Sequence, residues 1–261
     1  MPVRKINRIS LYQNESWDDF KNLVHGFTTR SGGASTGAYE SLSMSPRRGD
    51  DMACVRRNEK ILCESLGLDL SRLTSTRQEH TDNIKIADKE HIGYGVYRDW
   101  GEGVDACVTL EKNVPLLCYS ADCVPILFYA ADIEAVAACH AGWRGSAANI
   151  GGKVAAELVK MGADEKNIYA EIGPCIGKCC YEVSADVAEK FSPECYDKCS
   201  NGKYMLDLAF ANRLCLINAG LAAEHISESG ICTKCRNDLF FSHRGQNGKS
   251  GTLGGIICMK D

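Results

Sequence analysis

Three short segments each carry a side chain able to bind a metal ion of borderline softness. They are Gln78-Glu79-His80-Thr81-Asp82, Ser120-Ala121-Asp122-Cys123 and Cys139-His140-Ala141-Gly142-Trp143-Arg144-Gly145. Each reads as the end of an extended run beside a turn. Imidazole and thiolate suit zinc, and also copper, better than magnesium or calcium. His80, Cys123 and His140 would supply three ligands and leave a fourth position open, the pattern of a catalytic zinc site; a structural site is closed by four. The three are 43 and 17 positions apart, so only the fold can unite them. The plainer alternative is three unrelated hydrogen-bonded residues. Asp122 and Arg144 flank these ligands at strand ends and glycine turns, where sites tend to be built.

The elements that must position these groups are short and irregularly interleaved. Leu23 to Thr29 reads as a strand leading into the turn Ser31-Gly32-Gly33. Asp50 can cap a helix through VRRNEKILCESLGL, where Val55, Ile61, Leu62 and Leu66 form a helical stripe. Arg77 to Ile86 reads as extended. VDACVTL, VPLLCYS, VPILFYA and Ile133 to His140 are apolar runs of buried-strand type. Ser146 is a candidate cap for AANIGGKVAAELVKMG, and Asp207 for LAFANRLCLINAG. Tyr169 to Ile172, Phe240 to His243 and Thr252 to Met259 complete the strand candidates. The expectation is an α/β fold, a mixed β-sheet core with helices packed outside, forming a single domain over residues 1–261. The interleaving is too irregular for a simple doubly wound parallel sheet.

The bulk properties bound the function. The chain has 261 residues, 44% hydrophobic and 25% charged, an ordinary globular balance. A formal net charge of -4 gives no broad attraction for nucleic acid. No apolar stretch reaches membrane-span length, and the charged start is unlike a signal peptide. A soluble, cytoplasmic protein is expected, with its 15 cysteines mostly free and packed as small hydrophobes.

Other signals are weak. Gly248-Lys249-Ser250 ends like a phosphate-binding loop, but His243 stands where its first glycine belongs. Gly151-Gly152-Lys153 fails similarly, at Ala147 and Val154. Cys232 and Cys235 form a lone CxxC; with Cys175, Cys179 and Cys180 they could make a second, structural zinc site. His25, His91, His225 and His243 show no partner pattern and read as structural or surface residues; His243, in FFSHR, is also a candidate for a place near the site.

Taken together, HGFTTRSGGASTGAYESL, RQEHTDNI, GVDACVTL, SADCVPILFYA, ACHAGWRGSAANI, IGPCIGKCCYEV and FFSHR resemble the laccase-domain, or multicopper polyphenol oxidase, family. Its members are better described as purine nucleoside phosphorylases with adenosine deaminase and related activities. The resemblance runs from about residue 25 to the C-terminus, and HAGWRG is its most specific element. It implies His80, Cys123 and His140 as ligands of Zn2+, with Cu2+ possible. Thr81 replaces a frequent glycine, and Ser43-Met44-Ser45 replaces the usual Asn-Leu-Gly. These departures bear on loop shape and substrate preference and leave the ligands intact.

The implied substrates are a small-molecule purine nucleoside and phosphate, with phosphorolysis of adenosine, inosine and methylthioadenosine and deamination of adenosine as the reactions. Zinc lowers the pKa of a bound water to roughly 7, which suits attack on C6 of adenine. Phosphorolysis needs cations for phosphate, and Arg30 and Arg144 are candidate anion or ribose contacts; the alternative for each is a structural arginine tying down its own glycine turn. Asp122 would serve as acid or base, or orient His80 or His140. Trp143 and Tyr119 are candidate walls for the base. A different reading makes Cys123 a thiolate nucleophile activated by a histidine, as in a hydrolase or amidase. Copper oxidation of phenols is a third, and three ligands fall short of the several coppers that oxygen reduction normally uses. The oligomeric state is not legible.

Overall fold

The structure, a computed structural model, describes residues 3–261. Its strands form two six-stranded sheets and one small sheet. The first sheet runs in the order Val3–Ile6 (β1), Ile9–Tyr12 (β2), Leu23–Thr28 (β3), Leu253–Met259 (β15), Leu116–Ser120 (β7) and Thr74–Ser75 (β4). The second runs Ile226–Glu228 (β14), Ile168–Ile172 (β10), Val124–Ala130 (β8), Ala135–Ala141 (β9), Ala106–Thr109 (β6) and Ile84–Ile86 (β5). Both are mixed: β4–β7, β5–β6 and β10–β14 pair parallel, and the remaining neighbours antiparallel. Glu182–Val183 (β11), Tyr204–Leu206 (β13) and Tyr196–Lys198 (β12) make the small sheet. The helices are Met52–Leu66 (α1), Trp143–Ala147 (α2), Ile150–Lys160 (α3), Ala185–Ala188 (α4) and Leu208–Asn218 (α5).

The expected mixed α/β core is present, divided into two sheets by the alternation of its strands. On β7, Leu116 and Cys118 join one cluster, whereas Leu117 and Tyr119 join another with Leu62 of α1. On β8, Leu127 and Tyr129 join the first cluster, whereas Val124, Ile126 and Phe128 pack with Val154 and Leu158 of α3 and Leu216 of α5. Successive side chains on a strand point to opposite faces, so each sheet has an inner and an outer apolar face. The layers are therefore helix, sheet, sheet, helix. A fully buried side chain such as Phe128 contributes about 1.5–3 kcal/mol through removal from water.

This alternation also selects the site residues. Val136 and Ala138 of β9 and Cys107 of β6 belong to the inter-sheet cluster. His140 and Asp105 share their parity. Ala106 pairs with Cys139, so Asp105 and His140 are the next cross-strand neighbours, joined by a backbone bond from His140 N–H to Asp105 C=O of 2.8 Å.

Several local expectations need correction. Asp51, not Asp50, caps α1 by accepting from Ala53 N–H; Asp50 accepts from the Ser35 hydroxyl instead. Ser146 does not cap the following helix: it lies inside the short α2, which ends at Ala147, and Asn149, at φ 60°, caps α3. Asp207 caps α5 as expected, accepting from Phe210 N–H. Arg77 to Ile86 is strand only at Ile84–Ile86, because His80 takes a positive φ of 58° that breaks an extended chain. Phe240 to His243 is a turn: Phe240 and Phe241 are buried, yet Gly245 and Gln246 fold back onto Ser242.

Candidate active site

Cys123 sits where the chain passes from one sheet to the other, in the turn between β7 and β8. Asp122 turns the corner at φ 88°, and the Ser120 hydroxyl donates to the Cys123 carbonyl at 2.5 Å. His140 is the penultimate residue of β9. His80 comes from the loop after β4, held to both sheets. Gln78 bonds Tyr119 of β7 through N–H to Oε1 at 2.6 Å and Nε2 to the carbonyl at 2.8 Å. Asp105 accepts from the N–H groups of Glu79, His80 and Thr81 at 2.9–3.2 Å and from the Thr81 hydroxyl at 2.8 Å.

These placements gather one donor atom each from His80, Cys123 and His140 within 4.8 Å of one another. The Cys123 sulfur lies 3.8 Å from His80 Nε2. Zinc-to-ligand distances of about 2.0–2.3 Å require donors a little under 4 Å apart, so the set fits a zinc ion. Asp105 binds His140 Nδ1 at 2.8 Å, which leaves Nε2 as the donor. A carboxylate behind a ligating histidine is the usual outer partner of such sites. Gly142 closes the triangle: a Cβ there would lie 2.8 Å from His80 Cδ2 and 3.2 Å from the Cys123 sulfur. Glycine is thus required for room, not for its φ of -69°.

The electrostatics are coupled. Burial pushes the Cys123 thiol up, but the charges and hydrogen bonds of His140 and His80 outweigh it and bring the thiol down to about 6. Burial disfavours the His140 imidazolium, yet the Cys123 charge and the Asp105 hydrogen bond raise it. Asp105 is fully buried; burial opposes its ionisation, and His140 and Thr81 still hold it below the ordinary carboxylate range.

Two cavities of about 200 and 330 Å³ share Arg48, His80, Ala121 and Cys123. The smaller is polar, with Arg47, Thr76 and Gln78 around it. The larger has aromatic and aliphatic walls in Trp143, Tyr181, Ile176 and Leu208, and His243 and Arg244 also line it. Neither guanidinium of Arg47 or Arg48 bonds to another described side chain or carbonyl; their loop is held by Ser45 N–H to Thr252 Oγ1 at 2.7 Å and Met44 N–H to the Thr252 carbonyl.

The two arginines expected to hold anions lie elsewhere. Arg30 donates to the carbonyls of Glu40 and Asn237 and stacks 4.8 Å from the Phe241 ring centroid, tying down its turn. Arg144 is exposed and lies over Trp143, outside both cavities. Asp122 borders the larger cavity, but its carboxylate accepts from Thr233 Oγ1 at 2.6 Å and Arg244 N–H at 2.7 Å and touches neither histidine. Asp105 makes the histidine contact instead. Trp143 lines the larger cavity as expected, and Tyr119 borders the smaller one while packing in the core cluster under α1. His25 has a buried partner, Glu171, at 2.9 Å, far along the inter-sheet layer. Asp105 was findable as the one charge inside the apolar run VDACVTL; Arg47, Arg48 and Tyr181 carried no sequence signal beyond residue type.

With this geometry in view, the comparisons are decisive about family. The family described as multi-copper polyphenol oxidoreductase laccase matches residues 24–260. The chain belongs to it. Among family members, purine nucleoside phosphorylase YlmD of Geobacillus stearothermophilus is 39% identical over 253 residues, 93% of this chain and 92% of its own. Adenosine deaminase RL5, from an unknown prokaryotic organism, is 34% identical, covering 91% of this chain and 96% of its own. The crystal structure of hypothetical protein YfiH of Bacillus licheniformis superposes with a TM-score of 0.92 at 32% identity, over 99% of both chains. The laccase-domain fold is thus shared over essentially the whole chain. No helix among the described residues is long and apolar enough to cross a membrane.

Proposed function

We propose that the protein is a zinc-dependent purine nucleoside phosphorylase acting on adenosine and inosine, with methylthioadenosine phosphorolysis and adenosine deamination at the same site. The observation that carries this reading is the donor set His80, Cys123 and His140 at the junction of two cavities, one bordered by Arg47 and Arg48 and the other walled in part by Trp143, Tyr181, Ile176 and Leu208. The names of the relatives point the same way. His80, Cys123 and His140 would hold the ion, which supplies Lewis acidity and activates water when bound.

The rest is done by the chain. Trp143, Tyr181, Ile176 and Leu208 give the base an apolar slot, with few polar groups needed to orient it. Arg47 and Arg48 are free to hold phosphate, and a planar guanidinium matches two phosphate oxygens at once. In phosphorolysis a phosphate oxygen bonds C1′ of the ribose, the C1′–N9 bond breaks and its electrons leave with the purine, which takes up a proton. In deamination water adds at C6 and ammonia departs. Asp105 fixes the ring of His140 throughout. None of the 15 cysteines is paired in a disulfide, which fits a reducing, cytoplasmic setting.

The test is turnover of adenosine and inosine by zinc-loaded and metal-stripped protein, with and without phosphate. Phosphate-dependent release of base and ribose 1-phosphate, lost on stripping and restored by zinc, is expected. Turnover unchanged in metal-free protein, or none with zinc bound, overturns the proposal.

One observation favours a second reading. Asp105, His140 and Cys123 stand in the order of a carboxylate–histidine–thiolate nucleophile, with the thiol depressed. Covalent trapping of Cys123 by a substrate-like electrophile during turnover by stripped protein would decide for it.

A further inference from the structure

Away from the site, two turns face each other across an isolated bridge between Cys175 and Cys232. The first doubles back at Gly177, whose carbonyl accepts from Cys180 N–H at 2.9 Å and Tyr181 N–H at 3.1 Å. That return brings the adjacent Cys179 and Cys180 to one side. The second is the CxxC turn of Cys232 and Cys235, closed by Arg236 N–H to the Cys232 carbonyl at 2.9 Å. The sulfurs of Cys179, Cys180, Cys232 and Cys235 all lie within 4.8 Å of one another. Cys179–Cys180, Cys179–Cys235 and Cys180–Cys235 are 3.8, 3.7 and 3.5 Å apart. Four thiolates at about 2.3 Å from a tetrahedral zinc lie about 3.8 Å from each other. A disulfide needs about 2.05 Å, so none of these three pairs is one.

Two further features suit an ion. The backbone N–H groups of Gly177 and Cys235 point at the Cys232 sulfur, and such donors stabilise a thiolate. Gly177 packs against the group: a Cβ there would lie 3.1 Å from Cys232 Cβ and 3.4 Å from the Cys179 sulfur. Cys175, the fifth cysteine of this region, is buried in the core and stands outside the cluster.

We propose that Cys179, Cys180, Cys232 and Cys235 form a second, structural zinc site, closed by four thiolates. Its position gives it a purpose. The first turn belongs to the segment that carries Ile176 and Tyr181 of the larger cavity. The second carries Thr233, which donates to the Asp122 carboxylate beside Cys123. An ion joining them braces the cavity wall against the catalytic turn without touching substrate. Binding displaces the protons of four neighbouring thiols into solvent, so occupancy rises with pH.

The test uses the full chain, purified reduced and reconstituted with zinc or cobalt. Wild-type protein should hold one more zinc per chain than Cys235→Ser and than Cys180→Ser. Cobalt-loaded Cys123→Ala protein should keep the intense visible and near-ultraviolet absorption of a tetrahedral cobalt thiolate centre, and Cys235→Ser should lose it. Cys235→Ser should also show faster amide exchange over residues 175–181 and 231–236. Equal zinc content in wild type and Cys235→Ser overturns the site. If the cysteine variants do not fold, the Cys123→Ala protein still decides: no thiolate–cobalt absorption there overturns the proposal. Iron–thiolate absorption in the protein as isolated overturns the choice of zinc.

Discussion

A single carboxylate oxygen, Oδ1 of Asp105, accepts both from the ring nitrogen Nδ1 of His140, at 2.8 Å, and from the backbone N–H of His80, at 3.1 Å. One buried group thus sets the tautomer of one candidate ligand histidine and the backbone of the other. Replacing Asp105 by Asn keeps the shape but removes the charge. Zinc affinity should fall about 10–100-fold, as for other carboxylates behind a ligating histidine. Competition with a chromophoric chelator measures this; unchanged affinity would remove Asp105 from the site. Asp105→Ala, which leaves Nδ1 of the buried His140 without its carboxylate, should cost about 3–5 kcal/mol in urea unfolding of the metal-free protein.

Gly142 offers a cleaner perturbation, because it bears no functional group. Gly142→Ala places a methyl 2.8 Å from His80 and 3.2 Å from the Cys123 sulfur. One of the donors must move. We expect loss of most bound zinc and most turnover, with far-ultraviolet circular dichroism unchanged. Full zinc content in this variant would show that the donors are not held as described.

The depressed Cys123 thiol gives a pH signature in stripped protein. With a thiol at about 6 instead of 9.0, the thiolate persists down to near pH 6. Iodoacetamide labelling of Cys123 should plateau above about pH 7 and fall roughly tenfold per unit well below 6. In urea the midpoint should return to about 8.5. The linkage has a definite sign. A lowered thiol pKa stabilises the fold fully above the unfolded value, and that contribution is lost as pH falls through about 6. The raised His140 acts oppositely, its contribution fading as pH climbs through its folded value. Zinc should protect Cys123 from the label, and a midpoint near 9 would refute the coupling.

Arginine substitutions separate the cavity from the surface. Arg48→Ala should raise the phosphate KM at least tenfold, about 1.4 kcal/mol, with a smaller change in nucleoside KM. Arg144→Ala, outside both cavities, should leave both within about twofold. Arg30→Ala should lower stability by about 1–2 kcal/mol through two freed carbonyls, with phosphate KM unchanged. A phosphate effect at Arg144 and none at Arg48 would reverse the assignment.

The pattern of what was legible has a physical cause. Strands buried on both faces, such as VPILFYA and VPLLCYS, announce themselves by an unbroken apolar run, and the three donors stand out by type at the ends of such runs or in turns. What failed was whatever depended on backbone turns away from the strands. His80 needs a positive φ because Asp105 collects three successive N–H groups around it, a long-range cause invisible beside residue 80. Arg30 and Arg144 were attractive because they flank glycine turns, but proximity in sequence did not aim their guanidinium groups. Arg48, 75 positions before Cys123, reaches the cavity because Asn58 of α1 clamps the preceding loop at Ala34, Ser41 and Ser43. Two inner sheet faces, rather than one, follow from residues of opposite parity on β7 and β8 packing on different layers, which an apolar run cannot reveal.

The corner where the chain crosses between the sheets also bears on how this scaffold can change. Cys123 lies in that corner, His140 on a central strand, and His80 on a loop bonded to both sheets through Gln78 and Asp105. The cavity walls differ in how they are anchored: residues 45–48 are held through Thr252, away from the donors, whereas 176–181 and 243–244 are held by backbone bonds to the carbonyl and carboxylate of Asp122, beside Cys123. Only residues 45–48 are therefore separable from the donor triangle. On the proposed function, exchanging that segment between homologues should change phosphate handling while the triangle stays intact, whereas exchanging either of the other two should disturb the turn that carries Cys123.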